Sequence, residues 1–523
     1  MKLDYLSIGQ FKNLREFHVD FDEDPNELFT VLLGQNGLGK SNLLEVLVVI
    51  FRDLFLGTET DFAYELRYTL KRGKVKVLVG NEPHTDSGKA RFSFTAKNEN
   101  GVNETFAREQ LKEEAGRTYL PRHVFAYYSG PSDRLEEHFR PHQKTFYRDL
   151  LKGRAALFRP LFYARPVHSN FVLLAFFTKK DPIVEKFLSE RLRIEGLESV
   201  LFVLQKPKWK GLPDGDLRFW KAAGTVQKFL SKLWDVSLAP MLIRGKISDG
   251  FDKAKNTEFR YLYLRDLKFL RALAQQSKTP AEFFKELEST YMSNLIYETR
   301  IRVRVRQING SLTFRELSEG EQQLLMVVGL LRFTKEEESL FLLDEPDTHL
   351  NPAWGMEYLS ILQEIAETGS DSQIVIATHD PLMMSGLRKQ QVLVLERDGL
   401  TGNIVANHPE VDPRGMGISG ILKSSMFGLR TTLDLPTQAL LDERFELAAK
   451  KERTSAEEAR FKELSEKLAD SGFAQDFRDD NYYRYARAVA KVRGAGRIVL
   501  TPEEIRDIDE EAVAEVKKIV HQG

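Results

Sequence analysis

The stretch GQNGLGKS at residues 34–41 sets three glycines ahead of a lysine and a serine. Gly34, Gly37 and Gly39 leave the backbone free to curl its amides around phosphates, and a helix starting at once adds its partial positive charge. The spacing fits G-x-x-x-x-G-K-S, a pattern in which the lysine reaches the β- and γ-phosphates and the serine ligates magnesium. Gly34, Asn36, Gly37, Gly39, Lys40, Ser41 and Asn42 are the expected phosphate-loop residues. Far downstream, SLFLLDEPD ends an apolar run in two acids, with Asp344 placed to hold magnesium and Glu345 to orient or deprotonate water. IATHDP ends the next apolar run in His379, which in this order reads as a γ-phosphate sensor. A further stretch, LSEGEQQ at 317–323, sets Ser318 and Gly320 with two acids ahead of an apolar run, the pattern of a helix start.

These groups need a scaffold that brings them together. ELFTVLLG reads as a compact buried strand and SNLLEVLVVIFRDL as a helix, the strand-loop-helix context that the phosphate loop requires. LDYLSIGQFKNLREFHVDF alternates apolar and polar residues and predicts two strands joined near Lys12-Asn13. IRVRVRQINGSLTFREL predicts a hairpin turning at Asn309-Gly310. After it come helix, strand SLFLLD, helix, strand QIVIATHD and strand QVLVLERDG, an alternation that means a mainly parallel sheet. Between 57 and 310 the signals mix: KVKVLVG and ARFSFTAK suggest strands, VEKFLSERLRI and LRDLKFLRALAQQS helices. The fold class is α/β, with an N-terminal lobe at 1–135, a mostly helical insertion at 136–295, a C-terminal lobe at 296–412 and a charged helical extension at 413–523.

Composition narrows the classes. The 523 residues exceed one compact core, 42% are apolar and 29% charged, and the formal net charge is −1. No bulk field advertises nucleic acid, so any such contact would come from local patches. There are no cysteines, which removes disulfides, thiolate zinc sites and cysteine nucleophiles and suits a reducing cytoplasm. No stretch has the length of a membrane span, so a cytoplasmic location without a membrane partner is expected. Arg300, Arg302, Arg304 and Arg306 alternate with Ile301, Val303 and Val305 and share one strand face, which is either a solvated outer face or one that runs along a DNA or RNA backbone. NYYRYARAVAKVRGAGR mixes tyrosines with basic residues and reads as an amphipathic helix or a nucleic-acid surface.

LSEGEQQ resembles the signature motif of the ABC-type ATPases, usually L-S-G-G-Q or L-S-G-G-E, and with GQNGLGKS, LFLLDEPDTHLNP and ATHD it completes that superfamily's motif order. Glu319 stands where the first glycine usually sits, and Glu321 replaces the glutamine. The resemblance implies ATP and Mg2+ as ligands, Glu345 and His379 as catalytic residues, and Ser41 and Asp344 on the metal. It also implies a head-to-head dimer or higher oligomer, in which Ser318 and Gly320 close on the γ-phosphate of a second chain and Asp347 matches the D-loop that crosses the interface. Gln143 is one guess for the Q-loop glutamine, which no motif places.

I-x-x-F-K-N-L and LDEPDTHLNP look like the soluble branch that includes RecF, Rad50 and the overcoming-lysogenization-defect nucleases. The tail acids in DFRDDN (476–481) and IRDIDEE (505–511) follow no apolar strand, so the metal-holding nuclease domain of the last group is not expected. The layout from GMGISGILKSSMFGLRTT onward is similar to the ATPase of the Septu anti-phage system, whose relatives also occur with some retrons. That resemblance implies control of a separate HNH-type nuclease. A RecF-like DNA clamp and a self-contained nuclease stand as alternatives.

Overall fold

The computed structural model describes residues 1–21, 29–83, 90–152, 159–247, 255–306, 311–334, 337–366, 371–429, 431–450 and 453–470. Its strands in chain order are β1 (Lys2–Phe11), β2 (Leu14–Asp20), β3 (Phe29–Leu33), β4 (Tyr64–Leu70), β5 (Gly73–Pro83), β6 (Ala90–Asn98), β7 (Asn103–Phe106), β8 (His123–Tyr128), β9 (Leu161–Tyr163), β10 (Ile194–Gln205), β11 (Leu238–Ile247), β12 (Lys255–Leu264), β13 (Ile296–Val305), β14 (Ser311–Thr313), β15 (Ser339–Asp344), β16 (Gln373–Ala377), β17 (Val392–Arg397) and β18 (Ile404–Asn407). The helices that bear on function are α1 (Lys40–Leu56), α2 (Arg134–Leu151), α3 (Val167–Thr178), α4 (Glu319–Phe333), α5 (Leu435–Ala449) and α6 (Ser455–Asp470).

FTVLL, SLFLLD and QIVIA are apolar throughout or nearly so because both faces of their strands are covered. They are the neighbours β3, β16 and β15 in a sheet ordered β18-β17-β3-β16-β15-β8-β9. Every pairing from β17 to β9 is parallel, and β18 runs antiparallel to β17. Alternate side chains enter different cores: Phe29, Val31, Phe341 and Ile374 on one side, and Leu32, Leu342 and Val375 with the apolar residues of α1 on the other. Each contributes roughly 1.5–3 kcal/mol by leaving water. The register aligns Asp344 with Ala377 and Ala377 with Leu32, so the carboxyl ends of β15, β16 and β3 finish level with one another.

A second, antiparallel sheet, β2-β1-β4-β5-β6-β7, begins with the expected hairpin across Lys12-Asn13. A third, β11-β12-β10-β13-β14, contains the expected pairing of IRVRV with SLT, Val303 lying opposite Leu312. The Asn309-Gly310 turn itself lies outside the described residues.

The insertion does not stand apart from the lobes. Helix α2 crosses its expected start at 136, and β10, β11 and β12 join β13 of the C-terminal lobe in one sheet. Helix α3 is buried nearly all round and meets α4 so closely that a Cβ on Gly329 would sit 2.1 Å from Val172 Cγ1. Residues Met1–Leu429 accordingly form one compact unit and the chain from Arg430 a second. The division falls later than 413 because Ile421 and Met426 are buried in the core of the first unit. In the second unit α5 and α6 are tied by the Arg460–Glu443 pair at 2.8 Å. DFRDDN, IRDIDEE and NYYRYARAVAKVRGAGR lie outside the described residues. No described helix is long and apolar enough to cross a membrane.

Candidate active site

The parallel sheet delivers three loops to one edge, as open α/β sheets do at the carboxyl ends of their strands. After β3 the chain turns through Gly34, Gly37 and Gly39, whose φ values of 153°, 84° and 89° lie in the region that favours glycine. Helix α1 then starts with Gly39 as its N-cap, no capping side chain and no acid in its first turn. Its first amides are therefore left for an anion. Lys40 is buried and folds back to donate to the Gly34 carbonyl at 2.6 Å. Burial draws its ammonium below the ordinary lysine value, against the opposing pull of Glu345, Asp344 and Asp347.

Asp344, the last residue of β15, is 2% exposed and accepts from Ser41 Oγ at 3.0 Å. Burial pushes its carboxyl up to about 6, the neighbouring Glu345 adds to the rise, and Ser41, Arg134 and Lys40 oppose it. A buried carboxylate beside a serine hydroxyl is a hard-oxygen donor pair suited to magnesium, and the glycine cradle with an uncapped helix start suits the phosphates. Glu345 takes a left-handed backbone, φ 50°, unusual for a non-glycine residue and typical of strained functional positions. Its amide donates to the Ala377 carbonyl at 2.8 Å, and its Oε1 lies 3.2 Å from His379 Nδ1. Lys40, Ser41, Asp344, Glu345 and His379 thus meet at one edge although some 340 residues separate the first from the last.

The signature stretch forms as a helix start. Ser318 caps α4 in a capping box with Glu321: the Ser318 amide donates to Glu321 Oε2 at 2.7 Å, and Ser318 Oγ donates to the same oxygen at 2.9 Å. Gly320 is buried, and a Cβ there would lie 2.3 Å from the His349 carbonyl, so glycine is required for the helix to lie against LDEPDTHLNP. Gln323 of α4 donates to the Pro346 carbonyl in the same loop.

Two family models match this chain. One, described as "AAA ATPase domain", covers residues 1–113, and the other, "AAA domain, putative AbiEii toxin, Type IV TA system", covers 227–385. The Septu protein PtuA of Bacillus mycoides (strain KBAB4) is 27% identical over 215 residues, which are 39% of this chain and 29% of that protein. The protein named "Retron Vc95 probable ATPase" from Vibrio cholerae serotype O1 biovar El Tor is 22% identical over 391 residues, 70% of this chain and 68% of its own length. In sequence this chain resembles the Septu and retron proteins, and two ATPase-domain models each match a part of it. The match spans less than a third of the Septu protein. Among solved structures, the SMC head domain from Thermotoga maritima overlays with a TM-score of 0.29 at 13% identity, covering 79% of this chain and all of that domain. A likeness that loose decides nothing further.

Four further residues named from the sequence take the following places. Asp347 is 7% exposed and accepts from Thr378 Oγ1 at 2.9 Å, so it ties the DEPD loop to the ATHD loop inside the chain rather than reaching outward. Burial raises its carboxyl pKa as well. Asn42 donates to Asn13 Oδ1 at 2.6 Å, and Asn13 in turn donates to the Gly37 carbonyl at 2.8 Å, so this pair braces the phosphate loop from behind. Asn36 is exposed on the loop. Gln143 is buried in α2, nine residues beyond Arg134 and so roughly 13 Å further along the axis at 1.5 Å per residue. The loop between β8 and α2 lies beside Asp344: the Ser129 amide donates to the Asp344 carbonyl at 3.3 Å, and Arg134 stands 3.7 Å from the Asp344 carboxylate.

Sequence reasoning passed over Asn13, Ser129 and Arg134. The FKN string held the signal for Asn13, whereas nothing in sequence announced that β8 pairs with β15. A cluster around the buried Glu45 was missed for the same reason. Glu45, one turn after Ser41 in α1, accepts from Lys12 at 2.6 Å and lies 2.8 Å from His138 of α2, which fixes α1 against both neighbours.

Proposed function

We propose that this chain hydrolyses ATP with Mg2+ and uses the cycle to control a separate nuclease in a bacterial anti-phage defence system. The observation that carries the reading is the meeting of Lys40, Ser41, Asp344, Glu345 and His379 at the level ends of β3, β15 and β16. Gly34, Gly37 and Gly39 offer backbone amides to the phosphates, and Lys40 exchanges its own loop carbonyl for the β- and γ-phosphate oxygens. Ser41 and Asp344 would hold Mg2+, which when bound neutralises charge on those oxygens. Glu345 orients a water for in-line attack, and His379 positions the Glu345 carboxylate while facing the terminal phosphate.

Ser318 of a second chain completes the site, so ATP favours a dimer and hydrolysis releases it. Gly320 serves this closure by letting α4 approach the DEPD loop. The similarity to the Septu and retron proteins supports the defence role; a cytoplasmic setting and an HNH-type nuclease partner, engaged by the region beyond 413, complete the reading. A pull-down of tagged Glu345→Gln protein from its host with ATP present tests the whole reading. A stoichiometric nuclease is the expected companion. Recovery of this chain with DNA alone would replace the switch with a RecF-like clamp.

One observation favours that second reading. Ile301, Val303 and Val305 are buried while Arg300, Arg302, Arg304 and Arg306 are exposed on one face of β13 and its end. ATP-dependent, salt-sensitive DNA binding by the pure chain would support the clamp, and its absence at low salt would remove it.

A further inference from the structure

A cleft of about 870 Å³ opens at the amino-terminal ends of β8 and β15, on the edge of the parallel sheet opposite the phosphate loop. Lys71, Arg72, Lys112, Arg117, Arg122 and Arg159 line it, brought from separate stretches of chain. Four acids, Glu114, Asp149, Glu337 and Glu338, also line it, so the basic groups outnumber them six to four. Two of those acids have partners elsewhere, because Glu337 contacts His123 and Glu338 lies 3.7 Å from the amino terminus. Two of the basic groups have acidic partners outside the cleft as well, Lys71 with Asp371 and Arg159 with Glu288, so an excess of two positive groups remains.

Arg159 gives the cleft the character of a built site. It is 3% exposed, donates through Nη2 to Glu288, and stacks over Phe146 and Phe162 at 5.4 and 5.0 Å from the ring centres. Its Nε and Nη1 are buried without a hydrogen-bond partner. A buried donor left unmade costs about 1–3 kcal/mol, so a guanidinium held rigid with two open donors is poised for an acceptor. His142 of α2 lines the same cleft with its Nδ1 also buried and unpartnered. Burial and the charges of Arg159 and Arg117 push its pKa down to about 4, so the imidazole is neutral at pH 7 and can donate or accept.

We propose that this cleft is a second ligand site, for a molecule of nucleotide size that carries more than one phosphate. Arginine forks bind phosphate oxygens in pairs, the volume lies in the range of small-molecule sites, and Phe55, Leu120 and Phe146 supply apolar wall for a flat ring. Helix α2 connects the two sites: Arg134 at its start faces Asp344, and His142 and Phe146 further along face the cleft. A ligand in the cleft therefore bears on the same rigid element that flanks the magnesium face. The inference stands whether or not the phosphate loop hydrolyses ATP.

The test uses the full chain carrying Lys40→Ala, titrated calorimetrically with ATP and, separately, with a 5′-phosphorylated trinucleotide. These two probes distinguish a free nucleotide from the end of a nucleic-acid strand. One of them is expected to bind with one equivalent per chain and to weaken as salt rises. Adding Arg117→Ala and Arg122→Ala, both exposed and so of small consequence for folding, should weaken that binding about tenfold or more. No binding of either probe to the Lys40→Ala chain, or binding that the two arginine substitutions leave unchanged, overturns the proposal. Undiminished ATP binding at the first site, seen as equal stoichiometry in Lys40→Ala and wild type with the arginines removed, would instead count against the phosphate-loop assignment alone.

Discussion

The helix starts of α1 and α4 are both matched to phosphate by their motifs, yet they are built in opposite ways. At α1 the N-cap is Gly39, no side chain caps the turn, and no acid lies in it. At α4 Ser318 and Glu321 satisfy one another's amides, and Glu319 adds a second carboxylate to the first turn, paired at 3.4 Å with His349. An open start waits for an anion, whereas a start already closed by its own acids repels one until those acids are neutralised or turned aside. The difference teaches that the phosphate loop offers an open start to an anion, whereas under the proposed closure the signature start would first have to be freed of its own acids.

The largest effect should come from freezing the open start in its filled state. Glu345→Gln is expected to keep ATP bound while turnover falls by about 10²–10⁴, the range for loss of a general base; wild-type turnover by single-turnover kinetics would end the assignment. Breaking the open start comes next. Lys40→Ala should lose the nucleotide equivalent at that site, about 100-fold in affinity for the removal of charged hydrogen bonds worth roughly 1.5–3 kcal/mol, as read by calorimetry with the second cleft disabled through Arg117→Ala and Arg122→Ala.

Making the closed start more like the open one is a gentler test. Glu319→Gly removes one carboxylate from the first turn of α4 and should tighten ATP-dependent association about two- to fivefold, from a helix-end charge effect of roughly 0.3–1 kcal/mol. Sedimentation with ATP would show it, and unchanged or weaker association would mean that Glu319 does not oppose the incoming phosphate.

The smallest expected effect concerns strain in the ligand-free site. The Asp344 carboxyl is pushed up to about 6 in the fold, above its ordinary value near 3.8, so the folded state holds more protons between those values and loses stability as pH rises through about 6. Asp344→Asn should therefore melt higher than wild type above pH 6, by on the order of 1–2 °C, and equal it near pH 4. A scan of melting temperature against pH without nucleotide decides this, and a difference that persists at pH 4 would point to packing instead of charge.

Much of the site was legible because its residues sit at the ends of unmistakable apolar runs. FTVLL, SLFLLD and QIVIA each end in a motif residue or the loop that bears it, and the sheet needs those runs buried. Contacts across the fold were not legible. Arg134 faces Asp344 only because β8 lies beside β15, and Asp347 turns inward because Thr378, thirty-one residues later, offers it a hydroxyl. The third sheet was obscured for a local reason. β10 pairs with β13 through register shifts at Ile194/Gly196, Leu197/Ser199 and Val203/Leu204, and each shift breaks the two-residue period that identifies a strand. At its start Arg193, with φ 57°, turns the chain just where SERLRI reads as a continuing helix.

The position of β3 has a consequence for how the molecule comes into being. Its two sheet neighbours, β16 and β17, are contributed by residues 373–397, more than 300 residues later in the chain. A growing polypeptide that has emerged only as far as the third sheet carries its phosphate loop on a strand with nothing beside it, and it lacks the carboxylates of Asp344 and Glu345 altogether. Pairing across such a separation is slow because loop closure precedes any reward. The proposed site thus stays unassembled during synthesis until the chain has been made through β17.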